Sequence, residues 1–340
     1  MKSQDPVSVV DQLSSAGRSK PSSGRKLIIQ IPCYNEEPTL ARTLAELPRN
    51  VPGFDRVELL IVDDGSSDHT SAVARRLGVD HVVRHNGNRG LAHAFMTGVR
   101  SAVARGADVI VNTDADHQYR AADIPRLLRP ILDGDADIVI GARPIDTIRH
   151  FSPIKRALQR LGSRVVRALS HTEVDDAPSG FRAMTRDAAL RLNVFTGYTY
   201  TLETIIQAGL SNLRVANVPV AVNEPTRPSR LIRSTPQYVW RSIRTLFSAY
   251  LIYRPIRLFA GLSLLFLAPG FALALRYLYF VSIGEGRGHV QSVIVGGALV
   301  VCGVFMLAIA TVAHLLSINR KLLEELSYLE RERAGGTRDP

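Results

Sequence analysis

The run Asp108-Val109-Ile110-Val111-Asn112-Thr113-Asp114-Ala115-Asp116-His117-Gln118 decides how this chain is read. Asp108 to Val111 is short, apolar and β-branched, the pattern of a buried strand. It runs into Asn112-Thr113-Asp114 and then presents two carboxylates, Asp114 and Asp116, at i and i+2. In a turn after a strand, two such side chains face a common point. Unpaired, they repel each other, and a divalent cation resolves the repulsion. Mg²⁺ prefers one or two carboxylates completed by the phosphate oxygens of a substrate. A cation so held neutralises charge on a departing phosphate as a Lewis acid. An acidic pair alone is common in loops, so the surrounding sequence has to support the reading.

Working outward, the same pattern repeats. Leu27 to Ile31 is an apolar run, followed by Pro32-Cys33-Tyr34-Asn35-Glu36-Glu37 and a helical stretch from Glu36 to Leu47. Val57 to Val62 is a second, followed by Asp63-Asp64-Gly65-Ser66-Ser67-Asp68-His69-Thr70 and a helix through Leu77, with Ser66 or Asp68 as its cap. His81 to Arg84 is a short strand, Gly90 to Arg105 a helix, Ala121 to Leu132 another, and Asp137 to Ile140 a fifth strand. Strands alternating with helices predict an α/β fold with a mostly parallel sheet covered on both faces. In such sheets ligands bind at the carboxyl ends of the strands, and the acidic motifs fall there. Two adjacent carboxylates, Asp63 and Asp64, exceed what a helix cap needs, so they are candidate nucleoside contacts. Beyond them, residues 154 to 170 look helical and basic. Phe181 to Met184 reads as a strand, Thr199 to Ala208 as a helix, and Leu213 to Val222 as extended.

Composition adds an anchor. The chain has 340 residues, is 46% hydrophobic and carries a net charge of +11. Its apolar residues concentrate in 258 to 318. Two spans, about 258 to 280 and 290 to 316, are each long enough to cross a hydrocarbon core of roughly 30 Å. Tyr238, Trp240, Phe247, Tyr250 and Tyr253 stand beside Arg241, Arg244, Arg254 and Arg257 just before the first span, which suits helices in a headgroup layer. Lys and Arg before the first span and after the second place both ends on the cytoplasmic side by the positive-inside rule. The expected division is a disordered tail over 1–25, a catalytic domain over 26–233, juxtamembrane helices over 234–257, the hairpin over 258–318 and a cytoplasmic tail over 319–340. No apolar leader opens the chain. Two cysteines give neither a disulfide framework nor a zinc site. The positive charge suits anionic lipid or phosphate-bearing substrates, and no nucleic-acid-binding module is visible.

The ordered set of PCYNEE, VDDGSSDHT, RHNGNRGLAHA, NTDADHQY, GAR and SGFR resembles family 2 glycosyltransferases of the GT-A fold, over roughly residues 26 to 225. Within that family it is similar to the dolichol- or polyprenyl-phosphate sugar synthases, and the paired spans to their bacterial subgroup. The resemblance implies transfer of a hexose from a UDP- or GDP-linked sugar to a polyprenyl phosphate, with Mg²⁺ or Mn²⁺ and inversion at the anomeric carbon. It implies metal binding by Asp114, Asp116 and Gln118. It implies a nucleotide-sugar pocket of Pro32, Tyr34, Asn35, Glu36, Asp63, Asp64, Arg89, Gly90, Asp114, Ala115 and Gln118. Asp116, Arg143 and Arg182 would be catalytic, the two arginines facing phosphates. Homo-oligomers, tetramers by the same resemblance, are implied as well. Two departures stand out. Asn88-Arg89-Gly90-Leu91-Ala92-His93 replaces a loop closer to Arg-x-Gly-Leu-Gly, and His117 stands where a small or apolar residue is common.

A lipid phosphate is already anionic at neutral pH, so its transfer needs cationic positioning rather than a strong base. Arg143 and Arg182 are candidates, as are Arg227, Arg230 and Arg233, because arginine makes bidentate phosphate contacts; headgroup attraction explains the last three equally well. Other readings stay open: a different lipid or polysaccharide acceptor, or a non-catalytic membrane scaffold that retains the fold. Gln237-Tyr238-Val239-Trp240-Arg241 transposes the last two residues of the Gln-x-x-Arg-Trp motif of processive synthases. On a helix that turns each side chain by about 100°.

Overall fold

The computed structural model describes residues 24–144, 172–194, 200–223 and 255–336, with single positions within 162–170 and 240–251. Strand β1 (Lys26–Cys33) is followed by helix α1 (Glu37–Glu46), β2 (Arg56–Asp63), α2 (Thr70–Arg76), β3 (His81–Arg84), α3 (Leu91–Ala104) and β4 (Val109–Asn112). A 3-10 turn (Ala121–Asp123) leads into α4 (Ile124–Leu132), β5 (Ile138–Ala142), β6 (Arg182–Thr185), α5 (Arg186–Arg191), α6 (Thr201–Leu210) and β7 (Val215–Pro219). The seven strands form one sheet in the order β3-β2-β1-β4-β6-β5-β7. All neighbours are parallel except β6, which runs antiparallel to both β4 and β5.

The sheet is two-sided because its central strands carry apolar residues on both faces, with Gln30 and Asn112 as buried polar exceptions. Ile28, Leu60, Val62 and Ile110 face one layer with α3, α5 and α6, while Leu27, Ile29, Ile31, Leu59, Ile61 and Val111 face the other with α1, α2 and α4. Successive residues of a strand point to opposite faces, so a strand buried on both sides loses the alternation of a half-exposed one. Register then aligns the strand ends. Cys33 pairs with Asp63, and Asp63 with Arg84. Gln30 pairs with Asn112, and Asn112 with Arg182. The turns after β1, β2 and β4 therefore share one edge.

Local differences from the sequence reading have local causes. Helix α2 starts after His69, with neither Ser66 nor Asp68 as its cap. Asp68 instead accepts the Thr70 N–H at 3.0 Å and the Glu37 N–H at 3.1 Å, tying two turns together. Helix α5 was not anticipated. Thr185 caps it by accepting the Ala188 N–H at 3.2 Å, an ordinary capping signal.

Two long helices close the chain, α7 (Pro255–Ser282) and α8 (Val290–Gly336), joined by a 3-10 turn at Gly286–His289. Both are long and apolar enough to cross a membrane, and large side chains such as Leu264 and Phe305 lie open on their surfaces. Small residues let them approach: Ser263 Oγ donates to Gly303 O at 2.8 Å, and a Cβ on Gly270 would stand 3.0 Å from Gly296 O. The second helix does not stop at Leu316. It runs on to Gly336 through Leu, Glu, Lys and Arg, good helix formers with no Gly or Pro before the end. The stretch expected as a tail is helical.

Candidate active site

The turn after β4 is held from below by a buried polar chain. Gln30 Nε2 donates to Asn112 Oδ1 at 2.9 Å, and Asn112 Nδ2 donates to Gly180 O at 2.8 Å and Tyr200 Oη at 2.9 Å. Gln30 and Asn112 are fully buried, so these bonds stand in for water. The Tyr200 ring stacks on Phe95 at 3.8 Å between centroids. The Asp114 carboxylate lies against the bare Cα of Gly180: a Cβ there would sit 3.0 Å from both carboxylate oxygens and 2.9 Å from Tyr200 Oη. Burial, with the neighbouring Asp116 charge, pushes the Asp114 carboxyl up to about 7, against the pull of Arg143 and Arg182. Asp116 Oδ1 accepts the Gln118 N–H at 3.2 Å.

The turn is also held from its flanks. Thr43 Oγ1 donates to Ala115 O at 3.0 Å. His117, in the left-handed region at φ 61°, places Nε2 2.6 Å from Glu46 Oε1. Asn223 Nδ2 donates to His117 O at 3.0 Å, and the Asn223 N–H donates to Gln118 O at 2.8 Å. Histidine is among the few residues that tolerate positive φ, which accounts for the departure at this position.

The turns after β1 and β2 are laced together. Asn35, at φ 55°, donates its N–H to Ser66 Oγ at 2.9 Å and accepts the Ser67 N–H at 2.8 Å. The Glu36 N–H donates to Thr70 Oγ1 at 2.9 Å. Asp63 and Asp64 are buried. Asp63 accepts the Ser66 N–H at 2.8 Å and the Ser71 hydroxyl. Asp64 Oδ1 accepts the Arg89 N–H at 2.9 Å and lies 2.7 Å from His85 Nδ1, while Oδ2 accepts the Gly90 N–H at 2.8 Å. The pair thus organises the turn and the Arg89-Gly90 loop. Gly65, at φ 73°, comes so close to Gly87 that a Cβ would lie 2.4 Å from its carbonyl carbon. Pro32 lies in β1, and Tyr34 and the Arg89 side chain are exposed at the same edge.

The arginines divide. Arg143 is gripped by Asp176, Nε to Oδ2 at 2.6 Å and Nη2 to Oδ1 at 3.0 Å, a bidentate pair beside the acidic turn. Arg182 does not face an open phosphate site. It is 1% exposed, and its Nη1 donates to Thr204 Oγ1 at 2.6 Å and Thr201 O at 3.3 Å, its Nη2 to Ser179 O. Its position on β6, opposite Asn112, turns the guanidinium into the core, over the Tyr200 ring at 5.3 Å. It braces the Ser179–Phe181 turn from within, and its charge still acts on the Asp114 carboxylate. Arg227, Arg230 and Arg233 lie outside the described residues.

Sequence reading missed Asp176, Tyr200, Glu46, Asn223 and His85. Only Asp176, just before the turn Pro178-Ser179-Gly180, carried a usable signal. His85 carries no local signal, because its contact with Asp64 depends on the β2–β3 register.

Among the described residues no three His, Cys, Asp or Glu side chains converge as a metal cage. Two carboxylates, one of them raised towards neutrality by burial and by the other's charge, fit a cation that completes its shell with substrate oxygens and water. A mixed, mostly parallel sheet with such a turn at its carboxyl edge defines the GT-A type of nucleotide-sugar transferase fold. This chain belongs to glycosyltransferase family 2 and is a glycosyltransferase: the family model described as glycosyl transferase family 2 matches residues 28–192. The undecaprenyl-phosphate mannosyltransferase of Micrococcus luteus is 30% identical over 209 residues, covering 58% of this chain and 84% of that protein. The polyprenol monophosphomannose synthase of Mycolicibacterium smegmatis is 28% identical over 211 residues, covering 59% and 78%. Among solved structures, glucosyl-3-phosphoglycerate synthase from Mycobacterium tuberculosis, in complex with Mn²⁺, UDP and phosphoglyceric acid, superposes with a TM-score of 0.51 at 21% identity. It covers 67% of this chain and 78% of that one.

Proposed function

We propose that this enzyme transfers a hexose from a UDP- or GDP-linked sugar to a polyprenyl phosphate at a membrane surface, with inversion and with Mg²⁺ or Mn²⁺ as cofactor. The carrying observation is the bond from the Asn223 N–H to Gln118 O. It ties the acidic turn to the chain that leads, four residues later, to Arg227. By sequence, Arg227 opens the basic run that includes Arg230 and Arg233. The chain then continues to two apolar helices whose exposed surfaces favour lipid over water. The names of the two relatives support the acceptor class, and the Mn²⁺ and UDP of the structural neighbour agree with the cofactor.

Asp114 and Asp116 would hold the cation, which offsets charge on the departing diphosphate. Arg143, fixed by Asp176, adds positive charge beside it. The turns at Asn35, Glu36 and Asp64 shape the nucleoside pocket, with Tyr34 at its rim. The lipid phosphate oxygen attacks the anomeric carbon as the bond to the diphosphate breaks, and no proton has to be removed. The catalytic body and both termini lie on the cytoplasmic side. Transfer from labelled UDP- and GDP-sugars to undecaprenyl phosphate, with Mg²⁺, with Mn²⁺ and with chelator, tests the reading. A metal-dependent, acid-labile lipid product of inverted configuration is expected. Intact nucleotide binding without lipid product from any donor would overturn the acceptor class.

A further inference from the structure

We propose that Arg331, with Tyr328, is a positioning residue: it clamps the cytoplasmic end of α8 onto the catalytic body and holds the acidic site at a set height and orientation to the lipid surface. The proposal rests on the membrane reading above. Helix α8 has no Gly or Pro between Val304 and Ala334, so its apolar and polar parts form one rod. From Leu316 to Arg331 that rod rises about 22 Å at 1.5 Å per residue.

At its far end the rod makes specific contacts. Arg331 Nη1 donates to Leu190 O at 3.2 Å and Leu192 O at 3.1 Å, and Nη2 donates to Asn193 Oδ1. Leu190 O and Leu192 O are carbonyls at the C-terminal end of α5, without a partner within the helix and at its negative end. Tyr328 Oη donates to Asp187 Oδ1 at 2.9 Å, and the Arg191 guanidinium lies 4.6 Å from the Tyr328 ring centre. Beneath Arg331 the two surfaces enclose an apolar cleft with Val99, Val103, Ala189 and Leu190.

The clamp connects to the site. The Asn193 N–H donates to Gln207 Oε1 at 2.8 Å, and Gln207 Nε2 returns a bond to Asn193 O. Gln207 belongs to α6, whose first turn supplies Thr201 and Thr204 to Arg182. Tyr200, at the start of the same helix, reaches Asn112 beneath the acidic turn. A rigid helix leaving the lipid is thus joined through packed elements to the turn that carries Asp114.

The test uses the full chain in lipid bilayers with Arg331→Ala and Arg331→Lys. Hydrogen exchange at residues 190–193 reads the docking directly. Transfer is then compared for a bilayer-embedded long-chain polyprenyl phosphate and a water-soluble short-chain prenyl phosphate. Arg331→Ala should speed exchange at 190–193 and raise KM for the bilayer acceptor by about fivefold or more, with UDP affinity and short-chain kcat unchanged. Arg331→Lys should restore part of the bilayer KM. Equal losses with both acceptors would reduce Arg331 to a stability contact and overturn the proposal. Unchanged exchange would overturn the docking whatever the acceptor. A wild-type chain inert towards both acceptors would overturn the function proposed above, leaving the exchange data to decide the docking.

Discussion

The Asp64 carboxylate accepts the backbone N–H of Gly90 at 2.8 Å, and with its other oxygen that of Arg89 at 2.9 Å. One buried side chain at the end of β2 therefore fixes a loop 25 residues further on. That loop begins α3, and Gly90 adopts φ 93° to enter it. The acid named as a candidate nucleoside contact thus also holds the backbone of the Arg89-Gly90 loop.

Asp64→Asn should test that role. The amide keeps one acceptor but turns N–H donors towards groups that are themselves donors. A buried mismatch of this kind costs about 1–3 kcal/mol. Thermal unfolding should show the loss, and calorimetric titration should show weaker UDP binding. Unchanged binding would mean that the loop closes without Asp64.

Gly180→Ala should remove activity without unfolding the chain. The new methyl would press on the Asp114 carboxylate and on Tyr200 Oη. Displacing a reacting group by about 1 Å costs on the order of a hundredfold in rate. Gly87→Ala serves as the control, because a Cβ there meets nothing within 4 Å. Turnover together with circular dichroism separates the two variants.

Cation binding should be pH-dependent. Asp114 sits at about 7 in the metal-free site, so a proton competes with the cation below that value. Affinity should fall by about tenfold per pH unit as pH drops below 7. The sign for stability is opposite to that of an ordinary salt-bridged acid. Because the folded state holds this proton more tightly than the unfolded chain, the metal-free protein should lose stability as pH rises from the usual carboxylate range to about 7. Mg²⁺ should flatten that decline. Titrations and melting curves at pH 5.5, 6.5 and 7.5 check both signs. Asp116→Asn should lower the Asp114 value and cut turnover by about a thousandfold.

Arg182 and Arg143 should respond differently. Arg182→Ala strips a fully buried guanidinium from Thr204, Thr201 and Ser179, and breaking a buried charged network costs about 3–5 kcal/mol. Denaturant unfolding should show this. Arg143→Lys loses the two-pronged grip on Asp176 but keeps its charge at a half-buried place. It should melt close to wild type while turnover falls. The reverse ranking would return Arg182 to the phosphates.

Much of the architecture was legible because strands and helices leave periodic traces. The runs at Leu27 to Ile31 and Val57 to Val62 match β1 and β2 to within one or two residues, since a strand buried on both faces is mostly apolar, Gln30 and Glu58 notwithstanding. His81 to Arg84 was found with its ends unchanged. Helix α5 was missed although Thr185 announced it, because six residues give too short a period to read. The continuation of α8 beyond Leu316 leaves no hydropathy trace, because helix propensity continues through charged residues where apolar character ends.

What the sequence by itself determined is the family of chemistry: an acidic pair after a buried strand, turns at the same strand ends and a paired apolar anchor, all written in local spacing. The tertiary structure alone decided which groups share a point in space. It turned Arg182 inward because the β4–β6 register sets it opposite the buried Asn112. It set Asp176 on Arg143 across 33 residues, His117 beside Glu46 across a helix, and Arg331 on the carbonyls of α5 across 141. Local spacing carries the period of an element and the identity of its ends. Long-range pairing depends on register, strand direction and the packing of whole layers, and none of these is encoded in any short stretch of chain.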